Sequence, residues 1–268
     1  MSSVRYGTHD HTFVVCAYKK SPYLNECIGS LLSQTRQSSV IVVTSTPNEH
    51  IESVCNRFNV PLYVGDHKSG IARDWSFGLE MAKTPLVTIA HQDDVYKPQY
   101  VDRMLGLVNS DEKSLIYFCN YSELRNGEEV DNNSLLRVKR SMLLPLRVNT
   151  LRRSRFVRRR ILSLGSPICC PSVTFVRPNL STPIFTDDLK CDLDWQAWER
   201  ISRLPGAFLY DPAICMSHRV HEGSETTALI RDDTRSREDF FMFSLFWPKW
   251  IAHVLVKVYS SSQRSNSL

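Results

Sequence analysis

The sequence predicts an α/β protein with a largely parallel central sheet. Over residues 12–119, short apolar runs alternate with segments whose apolar residues recur every three or four positions. Five strand-like runs separated by four helix-like segments are typical of βαβ units, whose strands run parallel. The 268 residues, 42% of them hydrophobic, are enough for one large domain of this class.

The first two units follow from apolar patterning and from helix-start residues. Residues 12–17 are an apolar run, and Ser21-Pro22 offers an N-cap followed by proline at the first helical position. Residues 40–43 are the next strand, and the capping box Thr46-Pro47-Asn48-Glu49 starts the second helix. The apolar positions of the two helices are Leu24, Cys27, Ile28, Leu31 and Leu32, then Ile51, Val54, Cys55 and Phe58.

The same alternation continues to residue 119. It predicts strands at 61–64, 86–90 and 115–119, a helix at 70–82, and a helix opening at Pro98. Ligands of such sheets bind beyond the carboxyl ends of the strands, which are the loops starting near Tyr18, Thr44, Gly65 and His91.

One of these loops carries paired carboxylates. His91-Gln92-Asp93-Asp94 directly follows the strand that ends at Ala90, and no G-x-G-x-x-G or Walker phosphate loop occurs in the chain. Adjacent carboxylates repel each other, so a hard cation such as Mg²⁺ or Mn²⁺ that bridges a diphosphate is a natural occupant. The alternative is that Asp93 or Asp94 caps the helix near Pro98.

Six segments in chain order carry a family resemblance. They are Phe13-Val-Val-Cys-Ala-Tyr18 with Ser30-Leu-Leu-Ser-Gln-Thr35, Gly70-Ile-Ala-Arg-Asp-Trp-Ser-Phe-Gly78, His91-Gln-Asp-Asp94, Gly165–Arg177 with Pro171-Ser172, Asp192-Leu-Asp-Trp195 with Trp198 and Arg200, and Arg219-Val-His-Glu-Gly-Ser-Glu-Thr226. Together they resemble the family 2 glycosyltransferases, nucleotide-sugar enzymes of the GT-A fold. The resemblance implies inverting transfer of a sugar from a nucleotide-diphospho-sugar, with Mn²⁺ or Mg²⁺ as cofactor.

The resemblance also implies roles for individual residues. Asp93 aligns with the metal–diphosphate contact, with Asp94 beside it and His221 as a third candidate metal ligand. Asp194 aligns with the general base, and Asp192 is the second candidate. The implied nucleotide-sugar contacts are Ala17, Tyr18, Thr44, Ser45, Asp66, Arg73, Gln92, Asp93 and Arg219.

Each implied role has a structural alternative. Asp194 could be a surface position of a helix anchored by Trp195 and Trp198, and His221 could be a structural hydrogen-bonding group. Arg73 could be a solvated helix position. Two departures from the family pattern also count: Thr44-Ser45 stand where the family has Asp-Asp, which leaves the nucleotide unassigned, and His91 replaces the first aspartate of the D-x-D motif.

The net charge of +5 hides a segregation along the chain. Residues 132–186 contain 11 of the 33 basic residues and no acidic one, whereas the remaining 213 residues carry 22 basic and 28 acidic groups. The stretch Arg137–Arg160 mixes arginines with Leu143, Leu144, Leu146 and Phe156. A solvated helix and a nucleic-acid site are the alternatives; we expect an anionic membrane surface or a lipid-diphosphate acceptor, and no nucleic acid.

The tail and the cysteines bear on localisation. The apolar stretch 240–259 is interrupted by Pro248, Lys249, His253 and Lys257, so we expect it to pack on the body, with peripheral membrane contact as the alternative. No export signal is apparent, and eight cysteines without a C-x-x-C pair indicate buried free thiols rather than a zinc site. We therefore expect a cytoplasmic protein that can lie on the inner face of the membrane.

The predicted organisation is a GT-A domain at 10–226 and a C-terminal helical tail at 227–268. Within the domain, 10–119 is the nucleotide-sugar half and 120–226 is the acceptor half, with the basic insert at 132–164. The predicted function is sugar transfer to a glycan or lipid-linked acceptor in cell-surface polysaccharide biosynthesis, the pathway resting on family analogy alone. The alternatives are a metal-dependent sugar nucleotidyltransferase and a non-catalytic, membrane-associated GT-A-like module.

Overall fold

A computed structural model describes residues 5–66, 68, 70–221 and 234–264, with side chains as far as Tyr259. The strands are β1 (His11–Cys16), β2 (Ser39–Thr44), β3 (Leu62–Val64), β4 (Leu86–His91), β5 (Val95–Tyr96), β6 (Ser114–Arg125), β7 (Glu128–Val130), β8 (Val173–Val176) and β9 (Ala207–Val220). The helices are α1 (Leu24–Leu32), α2 (Glu49–Phe58), α3 (Ile71–Met81), α4 (Tyr100–Val108), α5 (Ser134–Leu143), α6 (Asn149–Arg152), α7 (Arg155–Leu162), α8 (Leu193–Ser202), α9 (Thr234–Ser244) and α10 (Lys249–Arg264).

The described strands form one mixed sheet. Its order is β3-β2-β1-β4-β8-β6-β9-β5, and β7 pairs with β6 outside this path. The strands β3, β2, β1 and β4 run parallel, as do β6 and β9, whereas β8 is antiparallel to both β4 and β6. The α/β class is therefore confirmed. The expectation of a largely parallel sheet holds for its first half, because β8 separates the two parallel groups.

Three predicted helix starts are displaced in the structure. Asn48, rather than Thr46, caps α2, since its side chain accepts a hydrogen bond from the Ile51 N–H at 3.1 Å. The helix α1 begins at Leu24, where Ser21 caps only the preceding turn. The helix α4 begins at Tyr100 after Gln99, so the alternative in which Asp93 or Asp94 caps it is wrong.

The core lies on both faces of the sheet. Successive side chains of β1 point to opposite faces, so Val14 joins one hydrophobic cluster while Phe13 and Val15 join the other. The helix α3 packs closely on the first of these faces, because a Cβ atom at Gly78 would lie 2.6 Å from Cγ1 of Val14. Glycine is therefore required at this helix–sheet contact.

The C-terminal helices pack on the same face. Met242 and Phe243 of α9 and Ala252 of α10 are fully buried in the cluster that also contains Trp195 of α8. Through residue 264, leaving out the undescribed stretches, no helix has the length and apolar character needed to cross a bilayer. All eight cysteines are free thiols; five are buried, and Cys16, Cys169 and Cys191 are half-buried.

Candidate functional site

The predicted metal-binding residues converge at the carboxyl end of β4. His91, Asp93 and Asp94 each offer a ligand atom, and these atoms lie within 4.8 Å of one another. His221, which follows the carboxyl end of β9, places its Nε2 2.9 Å from Oδ2 of Asp93. The structure thus brings together the carboxylates and the histidine that the resemblance implies.

Asp94 is held rigidly beneath this cluster. Its Oδ1 accepts hydrogen bonds from Nδ1 of His218 and from the backbone N–H of Arg219, both at 2.9 Å. Burial alone would raise the pKa of Asp94, but the imidazoles of His218 and His91 and the Arg219 N–H outweigh it, so the pKa is lowered. In the same way Asp94 raises the pKa of His218 to about 9, against the effect of burial.

The ligand atoms of this cluster suit a divalent cation. Oδ2 of Asp94 and Nε2 of His91 are buried polar atoms with no hydrogen-bond partner in the described part of the chain. Two carboxylates and an imidazole suit Mn²⁺, which accepts both oxygen and nitrogen ligands, and they also allow Mg²⁺. The ring of Trp75 stacks on His91 with centroids 5.3 Å apart, which fixes the orientation of the imidazole.

Arg219 is engaged within the protein. Its Nη2 lies 2.5 Å from Oε2 of Glu26, and its Nε donates to the carbonyl oxygen of Asp93 at 2.8 Å. Its guanidinium also covers the ring of Tyr23 at 4.3 Å. These contacts tie the loop after β4 to α1. The phosphate contact expected for Arg219 stays a prediction, and such a contact requires the pair with Glu26 to open.

The residues predicted to contact the nucleotide-sugar at the carboxyl ends of β1 and β2 lie along one edge of the sheet. The Gln92 side chain exchanges two 3.0 Å hydrogen bonds with the backbone of Tyr18, which joins the carboxylate loop to the end of β1 next to Ala17. Thr44 is buried, and its hydroxyl accepts from the Thr46 N–H at 3.0 Å. Oγ of Ser45 is buried without a hydrogen-bond partner among the described residues, so it is available to a bound group.

Two other residues predicted to contact the nucleotide-sugar are solvent-accessible side chains. Arg73 forms an ion pair with Asp187, and both side chains are about half exposed. Asp66 is exposed beyond the end of β3. Their nucleotide roles remain predictions. The predicted closing element continues through Ser224 and Thr226, which lie outside the described residues.

Asp194 occupies the first turn of α8 and is half-buried. Its Oδ1 accepts the Trp195 N–H at 2.7 Å. Burial raises the pKa of Asp194, while the Trp195 N–H and the charges of Lys139, Arg235 and His91 oppose that rise. Burial raises the pKa of the Cys169 thiol, and the charges of Asp94 and Asp194 both add to that rise.

Asp192 is directed elsewhere. It is buried, and burial and the neighbouring Asp239 carboxyl raise its pKa well above the usual range. Glu238 of α9 holds the turn leading into α8, because its carboxylate accepts backbone N–H bonds from Lys190, Cys191 and Asp192 at 2.8, 2.7 and 3.1 Å. Asp192 therefore belongs to the junction between α8 and α9, which favours Asp194 of the two candidates.

Several arginines of the basic insert form ion pairs with carboxylates from other parts of the fold. Arg152 and Arg153 pair with Asp111, and Arg159 pairs with Glu199 of α8. Arg158 is buried and donates to three backbone carbonyls, those of Ser202, Leu204 and Gly206. The expectation that the whole insert needs an external anion is wrong for these four arginines.

Lys139 of the basic insert lies near Asp194. Its Nζ donates to the Tyr121 hydroxyl at 3.0 Å, and it lies close enough to Asp194 to lower the pKa of that carboxyl. The sequence did not single out Lys139, His218 or Glu26. The partners of His218 and Glu26 lie 124 and 193 positions away, and Asp194 lies 55 positions after Lys139. A lysine next to an arginine, or a histidine in a strand, carries no local signal for such partners.

Similarity to known proteins shows the family of the chain. Residues 12–181 match the model described as glycosyl transferase family 2. The chain belongs to this family. It is 22% identical over 222 residues to the uncharacterized glycosyltransferase RT0329 of Rickettsia typhi, covering 82% of the chain and 66% of that relative. It is also 22% identical to RP339 of Rickettsia prowazekii, over 94% of the chain and 76% of that relative.

Solved structures show the same fold. The S. aureus TarS 1–349 complex with UDP-GlcNAc superposes with a TM-score of 0.65 at 14% identity, covering 96% of the chain and 73% of that protein. The mannosyltransferase PcManGT of Pyrobaculum calidifontis, in complex with GDP-Man and Mn²⁺, gives 0.60 at 15% identity, with 94% and 69% covered. The predicted family and GT-A fold are confirmed, and the family is one of enzymes.

Proposed function

We propose that the protein transfers a sugar, with inversion, from a nucleotide-diphospho-sugar to a glycan or lipid-linked acceptor. The carrying observation is the cluster of His91, Asp93 and Asp94 at the carboxyl end of β4 in a chain of glycosyl transferase family 2. The half-buried Asp194 is a second carboxylate, near enough for the charge of His91 to lower its pKa. Such an arrangement separates the two tasks of the reaction, namely stabilising the departing diphosphate and removing a proton from the acceptor.

The metal-binding side of the proposal uses Asp93 and Asp94, with His221 and His91 as nitrogen donors. A bound Mn²⁺ or Mg²⁺ would neutralise the negative charge that develops on the nucleotide diphosphate. The protein contributes the rigid placement of these ligands, since His218 and the Arg219 backbone fix Asp94. Mn²⁺ bound to a structural neighbour is consistent with this cofactor class.

The base side of the proposal uses Asp194. A carboxylate oxygen takes the proton of the acceptor hydroxyl as that oxygen forms its bond to the anomeric carbon, while the bond from this carbon to the diphosphate oxygen breaks. Burial makes the carboxylate more basic than a solvated aspartate, and the nearby cations Lys139 and Arg235 limit that rise. Burial and these two cations therefore act in opposite directions on the basicity of Asp194.

The donor would lie along the ends of β1, β2 and β4. The proposed contacts are Ala17, Tyr18, Thr44, Ser45, Asp66, Arg73, Gln92, Asp93 and Arg219. A UDP-sugar is the first candidate to test because TarS is a structural neighbour with UDP-GlcNAc bound. Hydroxyl groups at Thr44 and Ser45 replace the carboxylates of the family pattern.

The pathway, the localisation and the membrane partner are part of the same proposal. We infer a role in cell-surface polysaccharide biosynthesis on the cytoplasmic side of a membrane, with the Arg137–Arg160 region facing an anionic surface. Among the arginines of this region, Arg137, Arg147, Arg155 and Arg160 are exposed and have no carboxylate partner within the described residues. No observation favours the nucleotidyltransferase alternative, which gives Asp194 no task.

The test combines donor binding with turnover. Thermal shift against a panel of nucleotide-sugars, with and without Mn²⁺, should show stabilisation that depends on the metal and is lost in Asp93→Asn. Asp194→Asn should retain donor binding and lose transfer by about 10³-fold, as expected for removal of a general base. Glu52→Gln on the exposed start of α2 is the matched control. The proposal fails if no nucleotide-sugar binds, and unchanged turnover in Asp194→Asn removes the base role.

A further inference from the structure

The last described helix, α10, has two apolar faces. Its inner face packs on the core through Ala252, which is fully buried, and through Leu255, Val256 and Tyr259. Its outer face carries a second stripe four residues apart, Trp250, Val254 and Val258, whose side chains are 71%, 56% and 64% exposed. Residues at this spacing lie along one side of a helix. We call this stripe the outer stripe.

The outer stripe is surrounded by positive charge. Lys249 and Lys257 are exposed on the same helix, and residues 240–268 contain no aspartate or glutamate. The helix α7 lies next to the start of α10, since the guanidinium of Arg160 contacts the rings of both Phe156 and Trp247 at 5.6 and 4.8 Å from their centroids.

The adjoining edge of α7 has the same chemistry. Phe156 is 71% exposed, and Arg155 and Arg160 are exposed with no carboxylate partner in the portion of the chain that the structure describes. The surface therefore combines large apolar side chains with cations and lacks compensating acidic groups.

We propose that the outer stripe and this edge of α7 bind the interface of an anionic lipid bilayer. Tryptophan and apolar side chains enter the headgroup boundary, and each lysine or arginine near an anionic leaflet adds electrostatic attraction. A second copy of the chain is a poorer occupant, because a two-fold contact of this face sets Lys249, Lys257 and Arg160 against like charges.

The surface lies one layer from the catalytic helix. Tyr259, on the inner face of α10, contacts the ring of Trp195 at 5.8 Å, and Trp195 directly follows Asp194. Bilayer binding through the outer stripe therefore brings α8, which carries Asp194, near the lipid surface. This selects the lipid-linked class among the proposed acceptors, an inference that rests on the proposed function.

Vesicle co-sedimentation tests the surface independently of catalysis. The full chain should sediment with vesicles of 70% phosphatidylcholine and 30% phosphatidylglycerol, and far less with phosphatidylcholine alone. Trp250→Ser/Val254→Ser/Val258→Ser should lower the vesicle affinity by at least 10-fold. The matched control is Tyr63→Ser/Val64→Ser, which removes exposed apolar side chains from β3 and should leave the affinity unchanged.

A charge-reversal variant tests the electrostatic part of the proposed bilayer binding. Lys249→Glu/Lys257→Glu should weaken binding to anionic vesicles by at least 10-fold and reduce its salt dependence. Equal affinity for both vesicle types, absence of wild-type binding, or wild-type affinity in the triple variant overturns the proposal. So does light scattering that shows a dimer in the wild type and a monomer in the triple variant.

The two proposals fail separately. Vesicle binding without nucleotide-sugar binding removes the proposed function and leaves the lipid surface standing. Metal-dependent donor binding without vesicle binding removes the lipid surface and the membrane partner, and leaves the proposed sugar transfer standing.

Discussion

The carboxylate of Glu238 should contribute strongly to the free energy of unfolding, although it lies outside the candidate site. One of its oxygens accepts the Lys190 N–H, and the other accepts the N–H groups of Cys191 and Asp192, all within 3.1 Å. The side chain is only 8% exposed, so Glu238→Ala leaves three backbone donors facing a cavity.

The magnitude follows from these three bonds. A hydrogen bond to a charged group contributes about 1.5–3 kcal/mol, so three of them set an upper bound near 9 kcal/mol. Water entry and relaxation of α9 will recover more than half of that, and a helix-cap deletion by itself costs about 0.5–2 kcal/mol. We expect Glu238→Ala to lower the free energy of unfolding by about 3 kcal/mol, or about 100-fold in the folding equilibrium.

Urea unfolding followed by circular dichroism measures this difference. Glu238→Gln should fall between the wild type and Glu238→Ala, because one amide oxygen can replace one carboxylate oxygen while the amide N–H₂ opposes a donor. The control is Glu52→Ala, an exposed glutamate in the first turn of α2. A shift in Glu238→Ala no larger than that of the control refutes the reasoning.

Three further substitutions probe other contacts. Arg158→Met should lower the free energy of unfolding by about 3 kcal/mol, because three backbone carbonyls lose a buried cationic donor. Lys139→Met removes a cation that lowers the pKa of Asp194, so the acid limb of the pH–activity profile should move to higher pH. Activity needs the ionised base and is lost as the pH falls through this raised pKa. Gly78→Ala should destabilise by about 1 kcal/mol, since the clash with Val14 exceeds the gain in helix propensity.

Each of these substitutions has a matched control in the chain. Arg155→Met and Lys83→Met remove exposed cations and should change neither stability nor the pH profile. Gly106→Ala in α4 meets no atom within 4 Å, so it should be neutral or stabilising by up to about 1 kcal/mol. Equal effects in a variant and its control would contradict the structural explanation, as would a downward shift of the acid limb in Lys139→Met.

The order of elements through residue 119 could be predicted because local periodicity determines it. Strands such as β1 are buried on both faces, which gives a continuous apolar run, and the helices carry one apolar face each. The two-residue β5 and the antiparallel β8 leave no such pattern. The position of β8 between β4 and β6 depends on pairing between residues about 60 to 90 positions apart.

The candidate site also contains residues that the local sequence predicts and residues that it does not. Asp93 and Asp94 could be found from the sequence, because two carboxylates directly after a buried strand are a local signal. Asp194 required the family resemblance, since Trp195 and Trp198 explain its helix equally well as a core element. The partners that tune the site, His218 and Lys139, could not be predicted, because β9 and α5 come into register only in the folded chain.

The contacts of β9 with Asp94 would make the proposed cation binding depend on the folded domain rather than on residues 91–94 alone. The bonds from His218 and the Arg219 N–H to Asp94 span 124 and 125 positions. These bonds can form only after β9 has paired with β6. Pairing between strands so far apart in the sequence is slow, because a long loop must close before the contacts form. A fragment ending at residue 119 contains both aspartates yet lacks the groups that hold them, so its cation affinity should collapse. The rate at which refolding protein acquires Mn²⁺ affinity should therefore follow the last step of folding rather than the formation of the first four parallel strands.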